Sequence, residues 1–178
     1  MEEKIIIDDL IALTEFRQED KSNLVLYLND PVIYRNTLTI PSPYAEADAD
    51  KWLGITQANL EKYGRLTNWA IRHREAGLIG GIGRMVLTGI EGHRDEIGYW
   101  LAGPFRGQGI MTEVVGKLTG YLFEQSPLVR MEAHVYDHNP ASARVLEKAG
   151  FQREGIARKF ALKDGQYIDA ILLAKIKD

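Results

Sequence analysis

Apolar and polar positions alternate in some stretches of this chain and recur every three or four residues in others. The switches between the two periods mark out a mixed α/β order. Residues 10–16 alternate loosely, with Ile11 and Leu13 opposite Leu10, Ala12 and Thr14, and read as a first strand. Leu24, Val25 and Leu28 share one helical face, and Asn29-Asp30-Pro31 reads as the end of that helix, because proline disfavours α backbone in its predecessor. A second helix opens with Glu46, Asp48 and Asp50, which suit the positive end of its dipole, turns Trp52, Leu53, Thr56 and Leu60 inward, and stops at Gly64. Three strands follow, over residues 69–72, 78–87 and 96–101. The run Gly80-Gly81-Ile82-Gly83 inside the second implies a bulge or the close approach of another backbone or a ligand.

The helical period returns over 113–123 with the stripe Val114, Val115, Leu118, Tyr121 and Leu122. Residues 129–136 alternate again, with Met131, Ala133 and Val135 on one side and Arg130, Glu132, His134 and Tyr136 on the other. Asn139-Pro140 is a good cap and first turn for a short helix that turns Val145, Leu146 and Ala149 inward. Gly150 suits the position just past its end, with Phe151 as the apolar contact beyond. A hairpin closes the chain, residues 154–162 and 167–176 around Lys163-Asp164-Gly165. The order β-α-α-β-β-β-α-β-α-β-β, with no internal repeat or linker, implies one α/β domain over residues 1–178. Its sheet is mixed, mostly antiparallel and seven-stranded, with helices on both faces.

The most informative stretch is Gly103-Pro104-Phe105-Arg106-Gly107-Gln108-Gly109-Ile110-Met111-Thr112, between the 96–101 strand and the 113–123 helix. A glycine-rich turn into a helix start exposes backbone N–H groups and the positive end of a dipole, which suits an anion. An ordinary tight turn has the same composition. A P-loop needs lysine and serine or threonine after the second glycine, where Ile110-Met111 stand. A dinucleotide fingerprint needs a third glycine, where Thr112 stands, although Glu132 lies about 20 residues on, where that fingerprint places an acid.

Composition narrows the chemistry. The chain has 178 residues, 45% of them hydrophobic and 26% charged, as in an ordinary globular protein. That length lets a single domain bury roughly 70% of its unfolded surface. A net charge of −3 gives no general basic field for nucleic acid. With no cysteine, disulfides, thiolate metal sites and cysteine nucleophiles are excluded. No histidine–carboxylate spacing suggests a metal site. The apolar run at Ile5-Ile6-Ile7 is short for a signal peptide, and no apolar stretch approaches ~18 residues, so a cytoplasmic protein is expected.

Several ordered motifs together resemble the GNAT acetyltransferase superfamily. Its signature Q/R-x-x-G-x-G/A is matched by Arg106-Gly107-Gln108-Gly109-Ile110-Met111, with Met111 in place of the small residue. Asn139-Pro140-Ala141-Ser142-Ala143-Arg144-Val145-Leu146-Glu147-Lys148-Ala149-Gly150-Phe151 is similar to its later N-x-x-S-x-x-V-L-E-K-x-G-F block. Glu96-Ile97-Gly98-Tyr99-Trp100-Leu101 resembles its E-I-G-Y-W-L strand, and Pro41-Ser42-Pro43-Tyr44, Trp52 and Tyr167-Ile168-Asp169 fit its early and closing segments. These versions resemble the ribosomal-protein-alanine N-acetyltransferase branch.

The resemblance implies acetyl-CoA as co-substrate and direct transfer of its acetyl group to a primary amine, a protein or peptide N-terminus or a small amine. The fourth and fifth strands of the seven would splay, with the pantetheine arm along Trp100, Leu101 and Ala102. The pyrophosphate would rest on the backbone of Arg106, Gly107, Gln108, Gly109, Ile110, Met111 and Thr112. Asn139 and Ser142 would reach the cofactor from the far side, and Arg144 or Lys148 would meet its 3′-phosphate or stay solvated. Glu96 is the candidate base and Ser142 the candidate acid. A tyrosine that many members use as acid is replaced by Leu146, and Tyr136 or His134 stand near enough to substitute. The other reading is a non-catalytic acyl-CoA-binding module. The expected state is a monomer or homodimer without nucleic-acid or membrane partners, and the acceptor region would include Tyr34, Tyr44, Trp52, Tyr167 and Asp169.

Overall fold

The structure is a computed structural model and describes residues 4–177. These fall into two compact units, residues 4–84 with 98–108 and residues 85–97 with 109–177.

In the first unit β1 (Ile5–Ile6), β2 (Ile11–Thr14), β3 (Asn68–His73) and β4 (Gly77–Met85) form an antiparallel meander. Ile11 and Leu13 of β2 are buried and Leu10 is half exposed, so the alternation in the sequence marks the inner face correctly. The helices are α1 (Lys21–Leu28), α2 (Pro31–Asn36) and α3 (Glu46–Tyr63). Leu24 and Leu28 of α1, Ile33 of α2 and Ala49 and Leu53 of α3 pack with Tyr44, Ala70 and Leu78 into one core, flanked by Trp52 and Trp100.

Helix α2 corrects the sequence reading. Asn29-Asp30-Pro31 ends α1 but also begins a new helix, in which the Asp30 side chain accepts the Val32 amide at 2.7 Å. Pro31 occupies the first position, where a missing N–H matters least.

The glycine run in β4 reflects a close approach by the chain itself. A Cβ on Gly80 would lie 2.7 Å from the carbonyl oxygen of Trp100, and one on Gly81 would lie 2.7 Å from its indole nitrogen. Nearby, a buried ion pair ties β3 to the turn before α1. Arg72 grips the Asp20 carboxylate through two nitrogens at 2.8 and 2.9 Å, and Asp20 also accepts the Arg17 amide at 2.8 Å.

Strand β5 (Arg94–Leu101) serves both units, its residues 98–101 belonging to the first and 94–97 to the second. The second unit adds α4 (Ile110–Gln125), β6 (Arg130–Tyr136), α5 (Pro140–Lys148), β7 (Gln152–Lys163) and β8 (Gln166–Ile176). Val114, Val115, Leu118 and Leu122 of α4 are buried, as are Met131, Ala133 and Val135 of β6, Leu146 of α5 and Leu173 of β8. Helix α5 closes with hydrogen bonds from Phe151 to Leu146 and from Gly150 to Glu147. This double bond pattern is the Schellman arrangement that the sequence implies there.

The strand order is β1-β2-β3-β4-β5-β6-β8-β7, eight strands where the pattern predicts seven. The additional one is β1, two residues paired with Leu13 and Ala12. An unalternating apolar run that short carries no strand period. All registered pairings but one are antiparallel; the exception is β5 with β6, which pairs Arg94–Glu96 with Arg130–Glu132. Within the second unit that pairing ends before either strand does: Ile97 and Ala133, which follow it, are not registered with each other. The splay expected of these two strands matches this early end to the ladder.

Candidate active site

From β5 the chain passes through Ala102 and a short 3₁₀ turn, Gly103–Phe105, into Arg106 and then Gly107-Gln108-Gly109. Gly107 (φ 76°) and Gly109 (φ 84°) both adopt left-handed backbone, which side-chain-bearing residues rarely take. A Cβ on either would meet no protein atom within 4 Å, so backbone conformation requires these glycines and the space above them is clear.

Helix α4 begins at Ile110, three residues before the span 113–123 that the sequence predicts. Ile110, Met111 and Thr112 are therefore its first turn and not loop. The amides of Thr112 and Glu113 donate to the carbonyl of Gly109. Those of Ile110 and Met111 precede the first closed turn, and Gly109 at the cap position has no side chain to accept from them. The outcome is a helix start with donors directed outward and a positive dipole end. Met111 is 6% exposed. Its thioether is core, so the departure from a small residue leaves the turn open.

The loop before the helix is held by its own side chains. Arg106 donates from Nε to the Leu101 carbonyl at 2.9 Å and pairs with Asp30 at 2.7 Å. Gln108 donates to the Pro104 carbonyl at 3.0 Å. The side chain of Arg106 thus braces the turn from within the first unit. The same Asp30 carboxylate caps α2 with its other oxygen. Trp100, Leu101 and Ala102 precede this loop. The Ala102 amide already donates to Ile79 at 2.8 Å, and the Leu101 carbonyl accepts from Arg106, so two of their main-chain groups are engaged internally.

In the second unit Glu96 and His134 meet, Nδ1 to Oε1 at 3.0 Å. Phe160 of β7 stacks on the imidazole with ring centroids 4.5 Å apart and planes 13° from parallel. Glu132, on the same face of β6, accepts from Arg94 at 3.2 Å and from Arg130 at 2.5 Å. Tyr136, two residues beyond His134, is buried beside Ala161, Ala170 and Ile168. Burial raises its phenol above the ordinary value, which keeps the hydroxyl protonated.

Asn139 and Ser142 are joined by α5 capping. The Asn139 carboxamide oxygen accepts the Ser142 amide at 3.3 Å, and the Asn139 NH2 group is that side chain's remaining donor. Arg144 and Lys148 are exposed on α5, and Leu146, where the resemblance puts a tyrosine acid, is fully buried. No contact joins Ser142 or Tyr136 to Glu96 in the hydrogen bonds described.

Three participants were not among the first choices of the sequence reading. The alternation puts His134 on the polar side of its strand, but its pairing with Glu96 follows from the β5–β6 register. Asp30 carried only a turn signal, and Phe160 only the pattern of a hairpin strand.

The chain is similar to known proteins along most of its length. The family model for the acetyltransferase (GNAT) domain matches residues 11–152. A probable N-acetyltransferase of Bacillus subtilis, YjcK, is 49% identical over 44% of this chain and 43% of its own. The ribosomal protein uS5-alanine N-acetyltransferase of Escherichia coli is 32% identical over 46% of this chain and 42% of its own. The matched part therefore spans less than half the length of either curated relative. Among solved structures, a ribosomal α-N-protein acetyltransferase, RimL, in complex with coenzyme A superposes with a TM-score of 0.86 at 20% identity, covering 98% of each chain. The strand order, the glycine turn into α4 and the family match agree: the chain belongs to the GNAT acetyltransferase family.

Proposed function

We propose that this chain is a single-domain, cytoplasmic N-acetyltransferase that moves an acetyl group from acetyl-CoA to a primary amine, with a protein or peptide N-terminus as the preferred acceptor class. The observation that carries the reading is the turn Gly107–Gly109 opening an uncapped α4, with clear space above both glycines. Outward N–H groups at a helix start bind a pyrophosphate without needing a cationic side chain. The residues present fit that group. Backbone from Gly107 to Thr112 holds the pyrophosphate, Arg106 braces the turn, and the buried Met111 stays clear of it. Asn139 offers its NH2 group from the start of α5, where its oxygen accepts the Ser142 amide. Coenzyme A bound to RimL and the acceptor of the uS5-alanine enzyme support the co-substrate and the acceptor class.

An amine attacks only when neutral, so a base must take its proton. Glu96, the base that the resemblance implies, and His134, 3.0 Å from it, are the groups that can take that proton.

One observation favours a non-catalytic acyl-CoA-binding module: fully buried Leu146 leaves no side-chain acid at that position. A single experiment separates the two. Acetyl-CoA binding is measured by calorimetry, and CoA release with a thiol dye over a panel of amines and N-terminal peptides. The chain contains no cysteine, so the dye reads CoA alone. Binding with turnover on N-terminal peptides is the expected result. Binding without turnover on any amine selects the module, and no binding at micromolar concentration removes both.

A further inference from the structure

The pair of Glu96 and His134, with Phe160 over the ring, is more than a carboxylate at a strand end. An ionised carboxylate only accepts hydrogen bonds, so the 3.0 Å contact requires the proton on Nδ1 of His134. In the neutral ring Nε2 is then the acceptor, and among the described residues no hydrogen bond engages it. The ring is held along one edge by Glu96 and on one face by Phe160. His134 is not sealed in, its side chain being 18% exposed. Imidazole is also better matched than a carboxylate to taking a proton near neutral pH.

The other groups described next to this pair on the neighbouring strands are engaged elsewhere or uncharged. From β6, Glu132 is engaged by Arg94 and Arg130, and Tyr136 is a protonated phenol. From β8, the residue opposite His134 is Leu172, which carries no charge. From β7, Phe160 is flanked by Lys159, whose ammonium sits over the Tyr167 ring at 5.0 Å. Arg94 of β5 serves Glu91 and Glu132.

We propose that His134 is the proton acceptor of the acetyl transfer and that Glu96 is a positioning residue acting through it. This rests on the acetyltransferase reading above. Nε2 takes one proton from the acceptor ammonium. The freed amine lone pair forms the N–C bond at the thioester carbonyl, and the C–S bond breaks. The second amine proton leaves as the amide forms and ends on the thiolate, giving amide and free CoA. The proton on His134 returns to solvent. Glu96 keeps the Nδ1–H tautomer in place and balances the positive charge that the ring acquires.

The test compares wild type, His134→Gln, His134→Ala, Glu96→Gln and Glu96→Ala. CoA release is followed against pH with two acceptors of different amine basicity, so that a limb belonging to the enzyme stays put when the acceptor changes. Calorimetry reports acetyl-CoA affinity, and thermal melting reports the fold. His134→Gln can still donate to Glu96 but cannot take the proton. It is expected to lower kcat at least about 100-fold, the usual scale for loss of a general base, and to abolish the acceptor-independent acid limb. Its acetyl-CoA affinity stays within about twofold, since binding does not use the base. Glu96→Gln keeps the contact without the charge. It retains the limb and loses less activity than His134→Gln.

A His134→Gln enzyme with wild-type rate and limb overturns the proposal. So does a Glu96→Gln enzyme that loses the limb while His134→Gln keeps it, which would make Glu96 the direct base. Failure of the acetyltransferase reading is distinct, since wild type itself would then bind acetyl-CoA without releasing CoA on any amine.

Discussion

Asp30 joins two jobs that substitution can separate. One oxygen accepts the Val32 amide at 2.7 Å and caps α2, and the other pairs with Arg106 at 2.7 Å. Removing an N-cap costs about 1 kcal/mol. The ion pair is partly exposed, 33% for Arg106 and 24% for Asp30, so about 0.5 kcal/mol is a fair allowance for it. Asp30→Ala loses both and is expected to cost about 1.5 kcal/mol, or about 4 °C in Tm for a chain of this size. Asp30→Asn keeps the cap, because asparagine accepts equally well, but sets an NH2 group against the guanidinium. It is expected to lose about 1–2 °C.

The second readout concerns the turn. Arg106 braces it through the Leu101 carbonyl and through Asp30. Release of Asp30 lets the Gly107–Gly109 backbone sample other conformations, and re-ordering one residue costs about 1 kcal/mol. Both variants should therefore weaken acetyl-CoA about fivefold by calorimetry, despite their different melting temperatures. Equal melting of the two variants refutes the cap assignment. An unchanged acetyl-CoA dissociation constant in both refutes the bracing role.

Three further outcomes follow from the same structure. Asp20→Ala leaves Arg72 half-buried without its carboxylate partner and should destabilise the fold by about 3–5 kcal/mol in a urea or thermal melt, far more than any exposed ion pair here. Gly80→Ala puts a carbon 2.7 Å from the Trp100 carbonyl oxygen where about 3.3 Å is comfortable. It should cost about 1–3 kcal/mol and lower activity by shifting β5, whereas Gly81→Ala is cheaper because the indole it meets can move. Burial, and secondarily Asp48, pushes the Tyr44 phenol up to about 12. The unfolded phenol ionises near pH ~10, so stability present below that is lost as pH climbs from about 10 to about 12, and an alkaline absorbance titration should show tyrosine absorbance still rising near pH 12, a rise that Tyr44→Phe reduces.

What the sequence made legible is local. The Asn139 cap, the Gly150-Phe151 ending of α5, the glycine-rich turn into a helix and the stripe of α4 each depend on residues within a few positions of one another. Backbone sterics and helix periodicity act at that range, so composition and spacing report them. The boundary errors have the same origin. The apolar stripe of α4 begins at Val114, whereas the helix begins at Ile110 because Gly109 supplies the geometry of its start. Pro31 carries two meanings, a stop for α1 and a first residue for α2, and pattern alone favours the stop.

What was not legible depends on register. Strand β6 is buried at Met131, Glu132, Ala133, Val135 and Tyr136, so both its faces are covered, and alternation, which puts His134 on the polar side, does not say which residue of β5 it meets. The pairing of Glu96 with Glu132 puts His134 one step further along that face, and a slip of one residue would have turned His134 to the opposite side. That register is set by contacts between segments 38 residues apart and by a ladder only three pairs long. The short ladder has a consequence for the site. Had the pairing continued past Glu96, main-chain bonds would tie β5 to β6 at the level of Ile97 and Ala133. Because it stops there, side chains make the next connection, and the first one is the hydrogen bond from His134 to Glu96. The proposed base therefore stands where the β5–β6 ladder ends, positioned toward β5 by a side chain because no registered backbone pair continues that ladder.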